Sequence, residues 1–240
     1  MSVSAQSLCD EMALEGFCFV PSGEIAPLLP GIGADWNDFA DSWNDMPLDT
    51  YMADGGRYRR RRYATLSVAR GETTAILEPH QPHFQSVDYN TLNGGVARHY
   101  EAIGAEIMGG HVMAALLKLC SDVFNRFAPN SSWHVEVHQF RIEAHPGEHG
   151  QPTPEGVHRD GVDCVMVMMV KRHNIAEGTT TIHRPDGMQL ASFTLTQPRD
   201  LTLVDDHRCL HGVTPVVPLD AAQRAYRDVL VVTFRRKPAA

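Results

Sequence analysis

The second half of the chain is built from short β-prone segments separated by Gly, Pro and Asp. Short apolar or alternating runs of this kind are typical of strands, and Gly and Pro mark the turns between them. Many short strands without intervening helices favour a β-sandwich or jelly roll. Strands are predicted near residues 133–143, 162–170, 179–184, 188–196, 200–204, 213–217 and 228–235.

The first 130 residues differ, because their apolar residues recur at helical spacing. Helices are predicted over residues 4–15, 33–46 and 96–127, and a short strand over 17–20. We therefore predict a mainly β protein with flanking helices (α+β). Residues 1–240 are expected to form a single domain, with 1–130 as a helix-rich buttress and 131–240 as the β core.

Composition excludes several classes of protein. Hydrophobic residues make up 43% and charged residues 21% of the chain, a globular balance. The net charge of −8 disfavours nucleic acid and anionic membranes as partners. Because no apolar run reaches the roughly 18 residues that cross a bilayer, and no leader peptide is evident, we expect a cytoplasmic protein. The five scattered cysteines are expected to be buried thiols.

One basic run, Arg-Tyr-Arg-Arg-Arg-Arg-Tyr at residues 57–63, interrupts the acidic chain. On a strand, alternate side chains point to opposite faces, so at least two arginines would point inward. Guanidinium groups in such a place bind carboxylate or phosphate. A solvated charged segment is one alternative, and nucleic-acid binding is another, which the acidic remainder of the chain disfavours. The pattern leaves open which side chain faces a site among Arg57, Arg59, Arg60, Arg61 and Arg62.

The sequence around His158 and Asp160, Gly-Val-His-Arg-Asp-Gly, predicts a metal site. On an extended backbone, residues two apart point to the same face, so both side chains can reach one ion. Alone, the pair is a weak signal, because it occurs by chance in many proteins as a polar pair in a surface loop. His211 follows a later β run and completes two histidines and one carboxylate, the ligand set of non-haem iron(II) oxygenases.

Arg227 opens the strongly apolar strand near the C-terminus. An arginine at the start of a buried strand requires an anionic partner or a path to solvent. A dicarboxylate held by a bidentate guanidinium would supply that anion.

These motifs together resemble the iron(II)- and 2-oxoglutarate-dependent dioxygenases, in particular the bacterial group of L-isoleucine 4-hydroxylase and related free amino-acid hydroxylases. The segments that carry the resemblance are Gln139–Arg141, Pro154–Gly161, Arg172–Ile175, Asp205–Asp206, His211–Pro215 and Arg227–Asp228. One departure is that Glu177-Gly178 stands where the group favours Gly-Gly.

The resemblance implies a double-stranded β-helix (a cupin-like jelly roll) with the N-terminal helices packed on one sheet. It implies Fe(II) bound by His158, Asp160 and His211, with 2-oxoglutarate and O2 as co-substrates and ascorbate as an activator. Arg227 would hold the distal carboxylate of 2-oxoglutarate, and Gln139 would lie toward the same co-substrate. Since halogenases of the superfamily lack the carboxylate ligand, Asp160 favours hydroxylation.

The substrate implied is a free aliphatic L-amino acid, and methionine sulfoxidation is also compatible with the chemistry. Two other hypotheses stay open: a cupin-like metal enzyme that does not use 2-oxoglutarate, and a non-catalytic β-sandwich binding module. Asp205 and Asp206 either orient His211 or form an acidic turn. The sequence leaves the oligomeric state open.

Overall fold

A computed structural model of the protein describes residues 3–238. Its helices are α1 (Ala5–Glu15), α2 (Ser22–Ile25), α3 (Trp36–Asp41), α4 (Ala105–Met108) and α5 (His111–Phe127). Its strands are β1 (Phe17–Val20), β2 (Arg59–Val68), β3 (Ala75–Leu77), β4 (Glu101–Ala102), β5 (Trp133–Ala144), β6 (Cys164–His173), β7 (Ile175–Glu177), β8 (Thr180–His183), β9 (Gln189–Phe193), β10 (Leu201–Asp205), β11 (Leu210–Val213), β12 (Val216–Pro218) and β13 (Ala225–Arg236).

A large sheet of eight strands dominates the fold, in the order β1-β10-β6-β13-β5-β2-β3, with β4 beside β2. All these pairings are antiparallel except that of β2 with β4. Two smaller sheets, β11-β8-β9 and β12-β7, complete the β structure. Ile182 of β8 packs against Val165 and Val204 of the large sheet. The three-stranded sheet β11-β8-β9 therefore covers part of one face of the large sheet, its inner face.

The outer face of the large sheet is covered by helices. Alternate residues of β5, Trp133, Val135 and Val137, are fully buried in a core that also contains residues of α1 and α5. The α1 helix begins with a capping box in which Ser4 accepts from the Ser7 backbone N–H. Because helices take one face, the other face is left to line an internal cavity.

Two predicted helices are shorter than expected. The region 33–46 contains only α3, and the region 96–127 contains α4 and α5, separated at Gly109-Gly110. Residues 101–102 are extended because they pair with β2 at Arg62 and Tyr63. Strand pairing therefore overrides the helical apolar spacing at the start of this region.

The division into a helical buttress and a separate β core is wrong in one respect. Strands β1 and β2 come from the first 130 residues, yet they pair with β10 and β5 of the large sheet. The predicted strand 213–217 is also two strands, β11 and β12, in different sheets. Pro215 lies between them and has no N–H for a ladder.

All five cysteines are free and buried, as predicted. Burial raises the pKa of the Cys18 thiol to about 12. Within residues 3–238, no helix is long and apolar enough to span a membrane.

Phe124 of α5 tests the packing between helices and sheet. Its side chain is fully buried and meets the Phe234 ring edge-on at 4.9 Å. We expect Phe124→Ala to lower the free energy of unfolding by about 3–5 kcal/mol, since it leaves a cavity. Leu14→Ala, at a 73% exposed position of α1, should change it by less than about 0.5 kcal/mol. Urea unfolding followed by circular dichroism measures both, and equal effects would contradict the packing described.

Candidate metal centre and its cavity

The structure brings His158, Asp160 and His211 together. One side-chain donor atom from each lies within 4.8 Å of the others. His211 is on β11, and its backbone N–H and C=O each hydrogen bond to His158 at 2.9 Å. This isolated bridge places the loop of His158 beside β11, the edge strand of the three-stranded sheet. Two distant chain segments therefore supply one ligand set.

Hydrogen bonding orients the nitrogen of His158 that faces the centre. Its Nδ1 lies 3.0 Å from the carbonyl oxygen of Gly156. A carbonyl only accepts, so Nδ1 carries a proton and Nε2 is the nitrogen directed at the site. That Nε2 lies 3.5 Å from Asp160 Oδ1, and Nε2 of His211 lies 3.7 Å from Asp160 Oδ2.

The three groups differ in electrostatics although they share one site. Burial, and then the neighbouring His158, lower the pKa of His211 to about 4. Burial also disfavours charge on His158, but Asp160 and Glu155 outweigh it and raise its pKa to about 9. Against its own burial, Asp160 has its pKa held well below the usual value by the two histidines. The site therefore keeps a carboxylate that attracts positive charge.

Asp206 organises the loop that holds Asp160. Its carboxylate accepts from three successive backbone N–H groups, those of Asp160 at 3.0 Å, Gly161 at 2.8 Å and Val162 at 3.1 Å. Asp205 instead accepts from the backbone N–H of His207 at 3.0 Å. Asp206 thus acts on the Asp160 ligand rather than on His211, and Asp205 belongs to the turn.

Removing the Asp206 carboxylate should loosen the site. We expect Asp206→Ala to weaken metal binding by about 10- to 100-fold, because supporting groups of ligands carry effects of that size. Competition with a chromogenic chelator measures the affinity. Asp220→Ala is the control, since Asp220 also caps a backbone N–H in an exposed turn. Equal affinities of the two variants would contradict a role for Asp206.

Arg227 lies in the same cavity as the three candidate ligands. It is 2% exposed, and its Nε and Nη2 atoms have no hydrogen-bond partner among the residues described. Burial and the neighbouring Arg172 lower its pKa to about 10. Gly178 lies close by: a Cβ there would come within 3.2 Å of Arg172 Nη1 and 2.8 Å of Val216. The Arg227 guanidinium in the cavity, with the positive charge of Arg172 nearby, therefore forms an anion-attracting site.

Glu177, the departure from Gly-Gly noted in the sequence, adopts a positive φ of 61°. Glycine reaches this region at less cost than other residues. The Glu177 carbonyl accepts from Arg172 Nη2 at 2.8 Å, so the backbone of this turn contacts Arg172.

The expectation for Gln139 is wrong. Its Nε2 donates to Ser42 Oγ at 2.8 Å on the helical side of the sheet, and it does not line the cavity that the described residues form. Its β5 neighbours His138 and Phe140 line the cavity instead. Arg141 shares the helical side and forms a buried ion pair with Asp228, with two contacts of 2.7 Å.

The basic run divides between the two faces of β2. Arg59 and Arg61 point into the cavity, whereas Arg60 pairs with Glu143 and Arg62 with Glu101. Arg57 precedes the strand and is exposed. The structure thus selects Arg59 and Arg61 from the five candidates.

Sequence reasoning missed three charged groups in the cavity: Glu136, Arg98 and Glu155. The alternation His134-x-Glu136-x-His138 was a usable signal for the first, since all three residues share one face of β5. Arg98 lies in a loop that reaches the cavity only through its bridge to His83, and nothing in its local sequence signals this.

A second cluster, His83, Glu136 and His138, also has closely spaced donor atoms. The Tyr63 hydroxyl donates to Glu136 Oε1 at 2.7 Å, and His138 Nε2 lies 3.7 Å from Oε2. His138 Nδ1 accepts from Arg61 Nη2 at 2.8 Å, so its proton is on Nε2, the nitrogen that faces Glu136. The cluster is therefore a hydrogen-bond network that holds Arg61, with no lone pair of His138 left for a metal.

His138 should make stability depend on pH. Burial, and then Arg61, lower its folded-state pKa to about 3, against roughly 6.5 in an unfolded chain. The unfolded chain takes up the proton first, so this contribution is complete above pH 6.5 and is lost as the pH falls toward 3.

The variant His138→Asn keeps an acceptor for Arg61 but does not titrate. We expect its deficit in unfolding free energy relative to the unaltered chain to shrink between pH 7 and pH 5, as measured by urea unfolding. A deficit independent of pH would show that His138 is not held neutral.

Comparison with known proteins agrees with this site. The model of the 2OG-Fe dioxygenase family matches residues 40–233. The chain therefore belongs to this family and is a 2-oxoglutarate- and iron-dependent dioxygenase, as the motifs predict. The cupin-like and non-catalytic alternatives are thereby excluded.

Individual relatives cover nearly the whole chain. The chain is 26% identical to 3(1)-hydroxy-L-isoleucine 4-dioxygenase of Pantoea ananatis, over 94% of each protein. It is 24% identical to L-isoleucine-4-hydroxylase of Bacillus thuringiensis, over 79% of this chain and 81% of the relative. The crystal structure of a BsmA homologue from Methylobium petroleophilum PM1 superposes with a TM-score of 0.89 at 31% identity, over 100% and 97% of the two chains. The mainly β, jelly-roll fold class is confirmed.

Proposed function

We propose that the protein hydroxylates a free aliphatic L-amino acid, with Fe(II) bound by His158, Asp160 and His211 and with the distal carboxylate of 2-oxoglutarate bound by Arg227. The observation that carries this proposal is the common cavity. It contains a two-histidine, one-carboxylate set together with a buried guanidinium whose Nε and Nη2 have no partner in the part of the chain described.

The ligand set fits iron(II). Two imidazoles and one carboxylate on one side of an ion leave adjacent positions open, as oxygen-activating iron sites require. The orphaned Nδ1 of His211 is buried and without a partner within residues 3–238, so that ring is held by packing and by its backbone bridge to His158.

The Arg227 end fits a carboxylate of 2-oxoglutarate. A buried arginine beside a second arginine is unfavourable until an anion neutralises it. The strand register brings the two arginines together, because Arg227 of β13 lies directly opposite Arg172 of β6. A bidentate carboxylate would satisfy the Arg227 atoms that lack partners.

An amino-acid substrate is supported by the relatives, which are named for isoleucine and hydroxyisoleucine. The cavity lining supports it independently. Apolar groups on the strands are interspersed with charged ones, among them Phe140, Ile142, Val162, Val167, Val213, Val229 and Val231. Apolar walls with a few charged groups suit a small molecule that has an aliphatic chain and charged ends.

The reaction balances as one substrate C–H bond, one 2-oxoglutarate and one O2 giving one C–OH, succinate and CO2. Iron with 2-oxoglutarate supplies the oxidant, and the protein supplies position and exclusion of water. Asp160 holds negative charge at the centre, His158 and His211 present nitrogen lone pairs, and Arg227 aligns the co-substrate. The valines of β6 and β13 keep the space beside the centre apolar.

Succinate formation tests the proposal. Protein loaded anaerobically with Fe(II) and 2-oxoglutarate, with and without ascorbate, would receive O2 and L-isoleucine, L-leucine, L-valine or L-methionine. We expect an aliphatic amino acid to stimulate succinate and to gain one oxygen by mass spectrometry, and Asp160→Ala to lose both signals.

Each other result has a definite meaning. Stimulation by methionine alone, with a sulfoxide as product, would replace hydroxylation by sulfoxidation. Succinate that forms equally without any amino acid would overturn the substrate class and leave the dioxygenase family unaffected.

A further inference from the structure

The cavity contains more positive charge than 2-oxoglutarate accounts for. Besides Arg227, it is lined by Arg59, Arg61 and Arg98, each no more than 5% exposed. Arg59 is compensated, because its Nε donates to Asp49 Oδ2 at 2.8 Å. Arg61 and Arg98 have no carboxylate within ion-pair distance among the described residues.

The guanidinium of Arg61 is held in place by several contacts, and one of its N–H donors remains available. Its guanidinium lies between two rings, 4.2 Å from the Tyr100 centroid and 4.5 Å from that of Phe140. Nη1 donates to the Tyr100 hydroxyl and Nη2 to His138. Its Nε is buried and lacks a partner in the described structure. A fixed guanidinium loses little entropy when it binds an anion.

Arg98 extends this positive region toward the metal centre. Its Nη2 donates to Gln85 Oε1 at 3.4 Å, and Gln85 Nε2 donates to the carbonyl of Asp160 at 3.0 Å. Its Nε is also buried and finds no partner within residues 3–238. Burial lowers the pKa of Arg61, and the charges of Arg59 and Arg98 lower it further. Arg59, Arg61 and Arg98 all line the same cavity, so their charges act on one shared space.

This second positive region is distinct from that of Arg227. In the large sheet, Arg59 and Arg227 both pair with Ile142 from opposite sides, so their strands lie roughly 10 Å apart. Arg61 is one inward-facing position further along β2, opposite Phe140. Two separate positive regions therefore face one cavity.

Glu155 provides a matching negative group. Its side chain is 9% exposed, Oε1 lies 3.4 Å from His158 Nε2, and Oε2 is buried without a partner in the described residues. It lies outside the set of three closely spaced donors. A buried carboxylate oxygen of this kind requires a donor.

We propose that Arg61 and Arg98 bind the α-carboxylate of the substrate and that Glu155 binds its α-ammonium, so that the cavity selects a zwitterionic α-amino acid. This inference rests on the proposed amino-acid hydroxylation and adds the residues that recognise the backbone of the substrate. The two anion sites are thereby assigned. Arg227 binds 2-oxoglutarate, and Arg61 of β2, together with Arg98, binds the carboxylate of the amino acid.

Calorimetry on protein loaded with Zn²⁺ and 2-oxoglutarate, which does not turn over, tests the assignment. L-Isoleucine, L-isoleucinamide and 3-methylpentanoic acid share a side chain but differ in their charged ends. We expect the amide and the acid to bind the unaltered chain about 10- to 100-fold more weakly than isoleucine, the range for a lost charged hydrogen bond. This series does not depend on any variant folding.

Two variants then locate the contacts. We expect Arg61→Gln to weaken isoleucine about 10- to 100-fold and to remove most of the penalty for the amide. We expect Glu155→Gln to weaken isoleucine to a similar extent and to remove most of the difference in affinity between isoleucine and 3-methylpentanoic acid. Both variants should still load at saturating Zn²⁺ and bind 2-oxoglutarate as the unaltered chain does, whereas Arg227→Gln should weaken 2-oxoglutarate. The Zn²⁺ affinity of Glu155→Gln should fall, because this variant removes a negative charge beside His158. Arg60→Gln, the strand neighbour that pairs with Glu143 outside the cavity, is the matched control.

The outcomes separate the two proposals. If isoleucine, leucine and valine all fail to bind the unaltered chain, the amino-acid function is wrong. If isoleucine binds but Arg61→Gln and Glu155→Gln bind it as tightly as Arg60→Gln does, that function survives and the assigned contacts are overturned. Failure of Glu155→Gln to load at saturating Zn²⁺ would make Glu155 a metal ligand, and loss of 2-oxoglutarate by Arg61→Gln would reverse the two anion sites. Either result would overturn this inference.

Discussion

The alternation of side chains along three adjacent long strands, β2, β5 and β13, is the constraint on which the structure depends. Both faces of the large sheet are covered, so each strand must serve two environments. On one face, Trp133, Val137 and Leu230 pack in the helix-covered core. On the other, His138 and Arg227 line a cavity. A shift of register by one residue would exchange these environments, so the apolar face also fixes which charged groups face the cavity.

Buried arginines on the two faces of the large sheet differ in whether the protein itself supplies their hydrogen-bond partners. On the helical side, Arg141 is paired with Asp228 through two short contacts, and its charge is satisfied within the protein. On the cavity side, Arg61 and Arg227 keep buried donors without partners among the described residues. Such groups cost free energy in the empty protein. That cost is recovered when an anion binds, and the preformed geometry reduces the ordering that binding requires.

The metal centre depends on contacts between segments far apart in the chain. A single backbone bridge joins His158 to His211, and Asp206 fixes the Asp160 loop through three backbone N–H groups. Neither device involves the side chains that would bind the ion. The positions of the candidate ligands therefore depend on main-chain hydrogen bonds between His158 and His211 and on the buried carboxylate of Asp206.

The residue pattern was enough to predict the three candidate metal ligands, Arg227 and most strands of the second half of the chain. His158 and Asp160 are two apart on an extended segment, and β1 and β5 begin where their apolar patterns begin, because local periodicity reflects which side chains can share a face. Periodicity groups Gln139 with Arg141 and Glu136 with His138, but it does not say which group faces inward. Tertiary packing makes that choice, through the helices that cover the Gln139 face. It also determines that residues 101–102 pair with β2 and that Arg98 reaches the cavity, because both depend on contacts between segments whose partners no local pattern identifies.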